Sequence, residues 1–293
     1  VRRATLAGVV LALALTGTAA AAPFKLKVRP PDPARVTELV TAIDTAMGEK
    51  RFVDAGLILD RAAAMELNDP RLTLRTGLLQ LERDRFELAL RSFTEVEADP
   101  TVKPQALQGK GMALSSMGRS QAAIEALTAA ITADPSLWRA WNALAVERDK
   151  QKDWAGAEQA YAEALKLPEA GAFVLSNRGY SRLLQGRREE ASSDFVAALA
   201  KDPALSVARS NLRLALAMRG DYRRATAVSG NEDRAAVLNN AGFAAMMRGE
   251  LDEAEHLLQQ AIDARGSTYG RAFENLELVK SLKQQKAESP ATP

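Results

Sequence analysis

Small and large apolar residues recur along this chain with a period of 34 residues. Ala55, Ala89, Ala123, Ala157, Ala191 and Ala225 form one series. Gly77, Gly111 and Gly179 form a second, with Ala145 standing in its gap. Phe93, Leu127, Tyr161 and Phe195 form a third, and Ala130, Ala164 and Ala198 a fourth. Gly118, Gly186 and Gly220 keep the same phase, and Pro135 and Pro203 lie two periods apart. Alanine is common here, so one series would mean little, but several independent series on one period mark a repeat architecture. The composition is rich in alanine and leucine with 5% aromatics. It favours helices, because both residues lose little freedom there and are weak strand formers. After the last repeat, Phe273, Leu276, Val279 and Leu282 make one apolar stripe, with Lys280, Lys283 and Lys286 mostly away from it. The stripe predicts a further helix from about Thr268 to Gln285, capped by Ser267.

This pattern resembles the tetratricopeptide repeat (TPR), a 34-residue helix-turn-helix unit that stacks into a superhelix. With Val36 as position 1, the phase gives units 36–69, 70–103, 104–137, 138–171 and 172–205, then a shortened unit 206–234. A restarted unit, 235–268, carries Gly242, Gly249, Ala254, Leu258 and Ala261. The expected fold is all-α: a TPR superhelix (α-solenoid) of about seven units plus a C-terminal capping helix at 269–286. The resemblance implies that Gly or Ala at position 8 lets helices A and B cross closely, with Ala at position 20 facing it. It implies that Gly at position 15 ends helix A in a left-handed cap. Phe52, Phe86, Trp154 and Tyr222 at position 17 are expected to plug the corner between the two helices. Asp134-Pro135 and Asp202-Pro203, between units, are expected to open the next helix. Ile43 and Arg213 at position 8, Lys110 and Arg178 at position 7, and Arg209 at position 4 depart from the pattern. The sixth unit lacks five residues around Ser229-Gly230-Asn231 and is expected to be a bend or hinge.

The two ends read differently. Arg2 and Arg3, the apolar run Leu6 to Leu15 and the small residues Ala19 to Ala22 have the three-part form of a secretory signal peptide, residues 1–21. Cleavage is expected after Ala20 or Ala21, ahead of the obstructing Pro23. The alternative is an uncleaved anchor, but the segment is short and weakly apolar for a span. Val1 points to a non-AUG start codon and a bacterial source, so export implies the periplasm. Four prolines make 22–35 a linker, and 287–293 reads as a disordered tail.

The 293 residues carry a net charge of +2 with no long basic run, which argues against nucleic acid. There is no cysteine, which excludes thiolate chemistry and disulfides, and one histidine, His256. His256 falls at position 22 of the seventh unit, where a solvent-facing side chain is expected. Phosphate loops, nucleophile elbows, zinc-binding helix motifs and EF-hand loops are all missing. Paired carboxylates such as Glu189-Glu190 read as solvated. No catalytic, cofactor-binding or metal-ligating residue is therefore expected, no cofactor, and no enzymatic activity.

The resemblance puts helix A of each unit on a concave groove lined by positions 2, 5, 9 and 12. Position 9 reads Leu78, Met112, Val146, Tyr180, Leu214 and Phe243, and is uniformly apolar. Position 5 reads Leu74, Gln108, Asn142, Ser176, Ser210 and Asn239, and is mostly polar. An apolar ladder flanked by amides suits a protein partner, laid in as an extended peptide or amphipathic helix. Arg71 and Arg139 at position 2 stand two units apart, too far to make a carboxylate clamp. The run from Ala235 to Leu282, with its LNNAGFAAMMRG core and the closing Tyr269, Arg271, Ala272, Glu274, Asn275 and Leu276, resembles the TadD-type periplasmic component of tight-adherence (Flp) pilus assembly. That resemblance implies a factor that helps assemble or localise a secretion pore, with secretin or pilus-assembly components as partners. Members of that family are often lipoproteins, and the lack of cysteine departs from their pattern. A general periplasmic adaptor for the cell envelope is the alternative.

Overall fold

A computed structural model describes residues 32–228, 233–265 and 269–288. These residues form fifteen helices and no strands. The helices come in antiparallel A–B pairs: α1 (Pro33–Gly48) with α2 (Phe52–Ala64), α3 (Pro70–Glu82) with α4 (Phe86–Val96), and α5 (Lys103–Ser116) with α6 (Ser120–Ala133). Next come α7 (Trp138–Lys150) with α8 (Trp154–Leu165), and α9 (Ala172–Leu184) with α10 (Arg188–Lys201). In the sixth pair α11 (Ser206–Met218) is followed by α12 (Tyr222–Ala225), a single turn. The last pair is α13 (Arg234–Met247) with α14 (Leu251–Arg265), and α15 (Gly270–Glu288) packs on both. The signal-peptide expectation and the missing residues around Ser229-Gly230-Asn231 fall outside the described residues.

The turn between helices A and B has one conformation throughout. Position 15 is left-handed in all seven pairs: Gly118, Gly186, Gly220 and Gly249 at φ 72°, 77°, 85° and 78°, and Lys50, Asp84 and Lys152 at φ 58°, 55° and 60°. The turn imposes this geometry whichever residue occupies it. Glycine meets the demand without steric cost.

Two helix starts share one arrangement. Asp32 and Asp69 cap α1 and α3, each accepting a backbone N–H two residues on at 3.0 and 2.9 Å, with Pro33 and Pro70 in the first turn. Proline is pre-organised there and its missing N–H is not needed. This corrects the linker expectation, because Pro33, Ala34 and Arg35 belong to α1. Ala287 and Glu288 likewise belong to α15 and not to a tail. Asp134-Pro135 and Asp202-Pro203 do not open helices. Both prolines lie in the turns between pairs, three residues ahead of α7 and α11, and each Asp bonds the backbone N–H of the second residue on.

The core runs as a string of clusters between the A and B helices. The alanines at position 20 are sealed: Ala55, Ala89, Ala123, Ala157 and Ala191 are fully buried. Position 24 fills the space they leave. A side chain on Gly77 would meet the Phe93 ring at 2.6 Å, and one on Gly111 would meet Leu127 at 2.5 Å. Gly179 stands in the same relation to Phe195, and Gly242 to Leu258. So the expected facing of positions 8 and 20 is incomplete, because the bulky residue at position 24 is what presses on position 8. The aromatics Phe52, Phe86, Trp154 and Tyr222 are only half-buried, at the first residue of their helices.

Candidate protein-binding face

The contact pattern fixes which helices face inward. Each A helix from α1 to α13 touches the next A helix, α1 on α3 and so on to α13 on α15. Among the described residues, no two B helices touch each other. A row of A helices that close up while the B helices splay apart makes a curved layer with the A helices inside. The inner face is therefore built from whatever the A helices turn away from their partners.

Most of position 5 does not reach that face. Leu74, Gln108, Ser176 and Asn239 are buried in the seam between neighbouring A helices, and Asn142 is half-buried. Two of the amides bond across the seam: Asn177 Nδ2 donates to Asn142 Oδ1 at 3.0 Å, and Asn275 Nδ2 donates to Asn239 Oδ1 at 2.9 Å. These residues hold the array together and offer a partner nothing. At position 9, Leu78, Met112, Val146 and Leu214 are half-buried, and Tyr180 and Phe243 are exposed. Position 9 thus supplies the reachable part of the ladder.

Four further apolar residues join it. Phe173 and Val207 at position 2, and Leu184 and Met247 at position 13, are exposed on α9, α11 and α13. With Tyr180 and Phe243 they make six large apolar side chains between 43% and 64% exposed, whereas α1, α3, α5 and α7 carry none. A scan of positions 5 and 9 misses them. The signal is the spacing Phe173–Tyr180–Leu184, which puts three apolar residues on one helix stripe. The N-terminal half of the face is polar by comparison. Arg75 makes a bidentate pair with Asp44 at 3.0 and 2.8 Å, and Arg71 bonds Asp69 and Thr37. Arg139 lies over the Trp138 ring at 4.4 Å.

Between the two halves sit buried charges. Glu147 is fully buried and accepts from Ser115, from Ser120 at 2.5 Å and from Lys150 at 2.5 Å. Burial pushes its carboxyl up, but the hydrogen bonds from Lys150, Ser115 and Ser120 outweigh it and hold the group below the usual range. Asp149 goes the other way. Burial raises its carboxyl, opposed by hydrogen bonds from Ser181 at 2.7 Å and Tyr161 at 2.8 Å. Arg178 and Arg182 converge on Asp194, and Arg182 also pairs with Glu158. These pairs tie α8, α9 and α10 together and account for the basic residue at position 7. Lys110, the other one, pairs with Glu97 at 2.7 Å.

Residues 109–172 match the tetratricopeptide repeat family. Solved structures with the same fold include a tetratricopeptide repeat protein from Parabacteroides merdae, 16% identical, with a TM-score of 0.53 over 83% of this chain and 98% of that one. A thermophilic TPR protein from Thermus thermophilus is 18% identical, with a TM-score of 0.56 over 61% of this chain and 98% of that one. YrrB, described as a TPR protein with an unusual peptide-binding site, is 17% identical, with a TM-score of 0.50 over 63% of this chain and 97% of that one.

The chain has the fold of a TPR solenoid.

No curated protein matches it. Among the described residues of this TPR chain, no group of His, Asp and Glu is placed to hold a metal ion, and no helix is long and apolar enough to cross a membrane. His256 is exposed, with its Nε2 2.7 Å from Gln260 Nε2. Glu189 and Glu190 each pair with an arginine, Arg219 at 3.1 Å and Arg187 at 2.5 Å.

Proposed function

We propose that this TPR chain is a non-enzymatic scaffold that holds other proteins on its inner face. We further propose that it works in the periplasm as an assembly factor for a tight-adherence pilus or a type II-like secretion apparatus. The observation that carries the binding reading is the set of six exposed apolar side chains on α9, α11 and α13. Large apolar groups left in water on one concave face mark an interaction site. The peptide-binding site named for YrrB supports the same use of the fold. The pilus reading rests on the resemblance of the run from Ala235 to Leu282, and the periplasmic one on the signal-like residues 1–21. A general periplasmic adaptor for cell-envelope or outer-membrane assembly is the second reading. The lack of cysteine favours it, since the pilus family is rich in lipoproteins.

The test is capture of purified secretin and pilus-assembly components by the full chain, alongside Met112→Asp and Tyr180→Asp. Both variants should keep the helical spectrum, and Tyr180→Asp should lose capture by about tenfold or more. Unchanged capture by a folded Tyr180→Asp chain overturns the inner-face reading. Cell fractionation that finds the chain in the cytoplasm overturns the periplasmic one. Genes for pilin, prepilin peptidase and secretin beside this one would decide for the pilus over the adaptor.

A further inference from the structure

The outward side of α2, the outer helix of the first pair, is apolar where the other units are polar. Val53 and Leu57 stand at positions 18 and 22 and are 71% and 63% exposed. The other full units hold polar or charged residues there, or at most an alanine: Glu87 and Arg91 in the second, Asp252 and His256 in the seventh. Among the described residues, no other B helix exposes two large apolar side chains. Val53, Leu57, Asp60 and Ala64 are all exposed and are spaced four, three and four along the helix. That is the spacing of a seam between two helices. The opposite side is already occupied, because Ala55, Leu59 and Ala62 are buried within the chain.

The charges at this seam are unpaired. Asp60 and Arg61 make no hydrogen bond or ion pair within the chain. Successive residues on a helix do not face each other, so the two cannot pair together. Asp54, the other acid of α2, is held by Arg51 at 2.6 Å. A cleft of about 370 Å³ opens beside the seam, between α2 and α3, with Val53, Leu57 and Asp60 on its α2 wall. Gln80 on α3 also lines it, and the side-chain oxygen of Gln80 is buried without a hydrogen-bond partner. The cleft thus offers a carboxylate and an amide oxygen that both lack a donor. Arg83, the cation in its lining, already donates to the Phe52 carbonyl at 2.7 Å.

A second copy of α2 supplies what is missing, since Arg61 is a free guanidinium one turn from Leu57. A two-fold axis parallel to α2 sets two such helices side by side, each residue level with its own copy. Val53, Leu57 and Ala64 then close on their counterparts. Asp60 of each helix lies beside Arg61 of the other, as neighbouring seam positions do in parallel helix pairs, and symmetry makes the pair twice. A guanidinium has five N–H donors, so one bound to Asp60 has others for the Gln80 oxygen. We propose that α2 is a dimer seam: two copies of this chain associate in parallel through Val53, Leu57 and Ala64, with reciprocal Asp60–Arg61 pairs. The seam lies on the outer layer and is independent of the inner-face reading. One helix pair about 20 Å long covers less than the about 800 Å² per partner of a stable complex, so the dimer forms and dissociates with concentration.

Sedimentation velocity of the full chain over a wide concentration range tests this, with circular dichroism checking that each variant folds. The native chain should shift toward the dimer as its concentration rises. Leu57→Asp should weaken association by about tenfold or more. Asp60→Arg and Arg61→Asp should each weaken it several-fold, and the double variant carrying both should recover most of the loss. The chain has no cysteine, so Ala64→Cys creates a single thiol and should give a disulfide-linked dimer under mild oxidation. Thr132→Cys, at the same position of the third unit and also exposed, should not. Tyr180→Asp should leave the dimer intact, which separates this seam from the inner face. A chain that stays monomeric at every concentration overturns the proposal and leaves the seam to a different protein. So does association that survives Leu57→Asp or is lost on Tyr180→Asp, a double variant no better than either single one, or Thr132→Cys linking as readily as Ala64→Cys.

Discussion

The left-handed residue at position 15 makes a quantitative prediction. Lys152 holds φ 60° and Lys50 φ 58° at a turn that also accepts glycine in four other units. An L-residue in that conformation costs about 1–2 kcal/mol, while glycine costs about 0.4–1 kcal/mol through its looser unfolded chain. Replacing Lys152 by Gly should therefore stabilise the array by about 0.5–1 kcal/mol, and Lys50→Gly by the same. Asp84→Gly should gain less, because aspartate tolerates the left-handed region. The mirror experiment is unusually clean. A side chain added at Gly118, Gly186 or Gly249 would meet nothing within 4 Å, so Ala there tests conformation alone and should cost about 0.5–1 kcal/mol. The assay is urea unfolding of the full chain followed by far-ultraviolet circular dichroism, with slopes compared across variants to confirm that the same unit melts. A destabilised Lys152→Gly, or a Gly118→Ala as stable as the native chain, would refute the claim that the turn dictates the backbone.

Two other perturbations follow from packing and charge. Gly77→Ala drives a methyl to 2.6 Å from the Phe93 ring, and the same ring edge also lies tight against Gly109, so the ring has little room to step aside. The loss should be about 1–3 kcal/mol in urea unfolding, and Phe93→Leu should recover part of it in a double-mutant cycle. Glu147→Gln removes a buried carboxylate held by three donors and should cost about 1.5–3 kcal/mol near neutral pH. The folded-state pKa of Glu147 lies below its ordinary 4.5, so its contribution is present above that value and fades as the pH falls through the folded pKa. Unfolding curves at neutral and acid pH should show the gap between native and Glu147→Gln closing on the acid side. A gap that widens there contradicts the assignment.

The fold was legible because stacking imposes it. A plug such as Phe93 needs a missing side chain at Gly77, and the alanine beside it must stay small, so several sequence series share one period. The left-handed turn was legible only where evolution used glycine. Lys50, Asp84 and Lys152 hide the same conformation behind ordinary residues. Helix entry is ambiguous in the sequence at Asp134-Pro135 because Asp-Pro reads the same as a cap and as a turn. At Asp69-Pro70 the helix begins at the proline, whereas Pro135 is followed by two more residues of turn.

The inner face was half legible, for a reason that lies in the packing of the A helices. Position 5 looked like a row of hydrogen-bonding groups for a partner. Neighbouring A helices come close enough that Asn142, Ser176 and Asn239 sit in the seam, and two of the amides are used to bond the next helix. How closely the A helices approach is a tertiary quantity that no single unit records. Position 9 lies one turn further on and clears the seam, with positions 2 and 13 along the same stripe, so the exposed apolar surface follows the stripe. The stripe is apolar only from α9 onward, and there the polar network of Arg178, Arg182, Asp194 and Glu158 packs behind it. Charged side chains paired in fixed geometry resist rearrangement better than an apolar layer that can repack. The chain thus backs its apolar inner face with a rigid polar layer at α8 to α10.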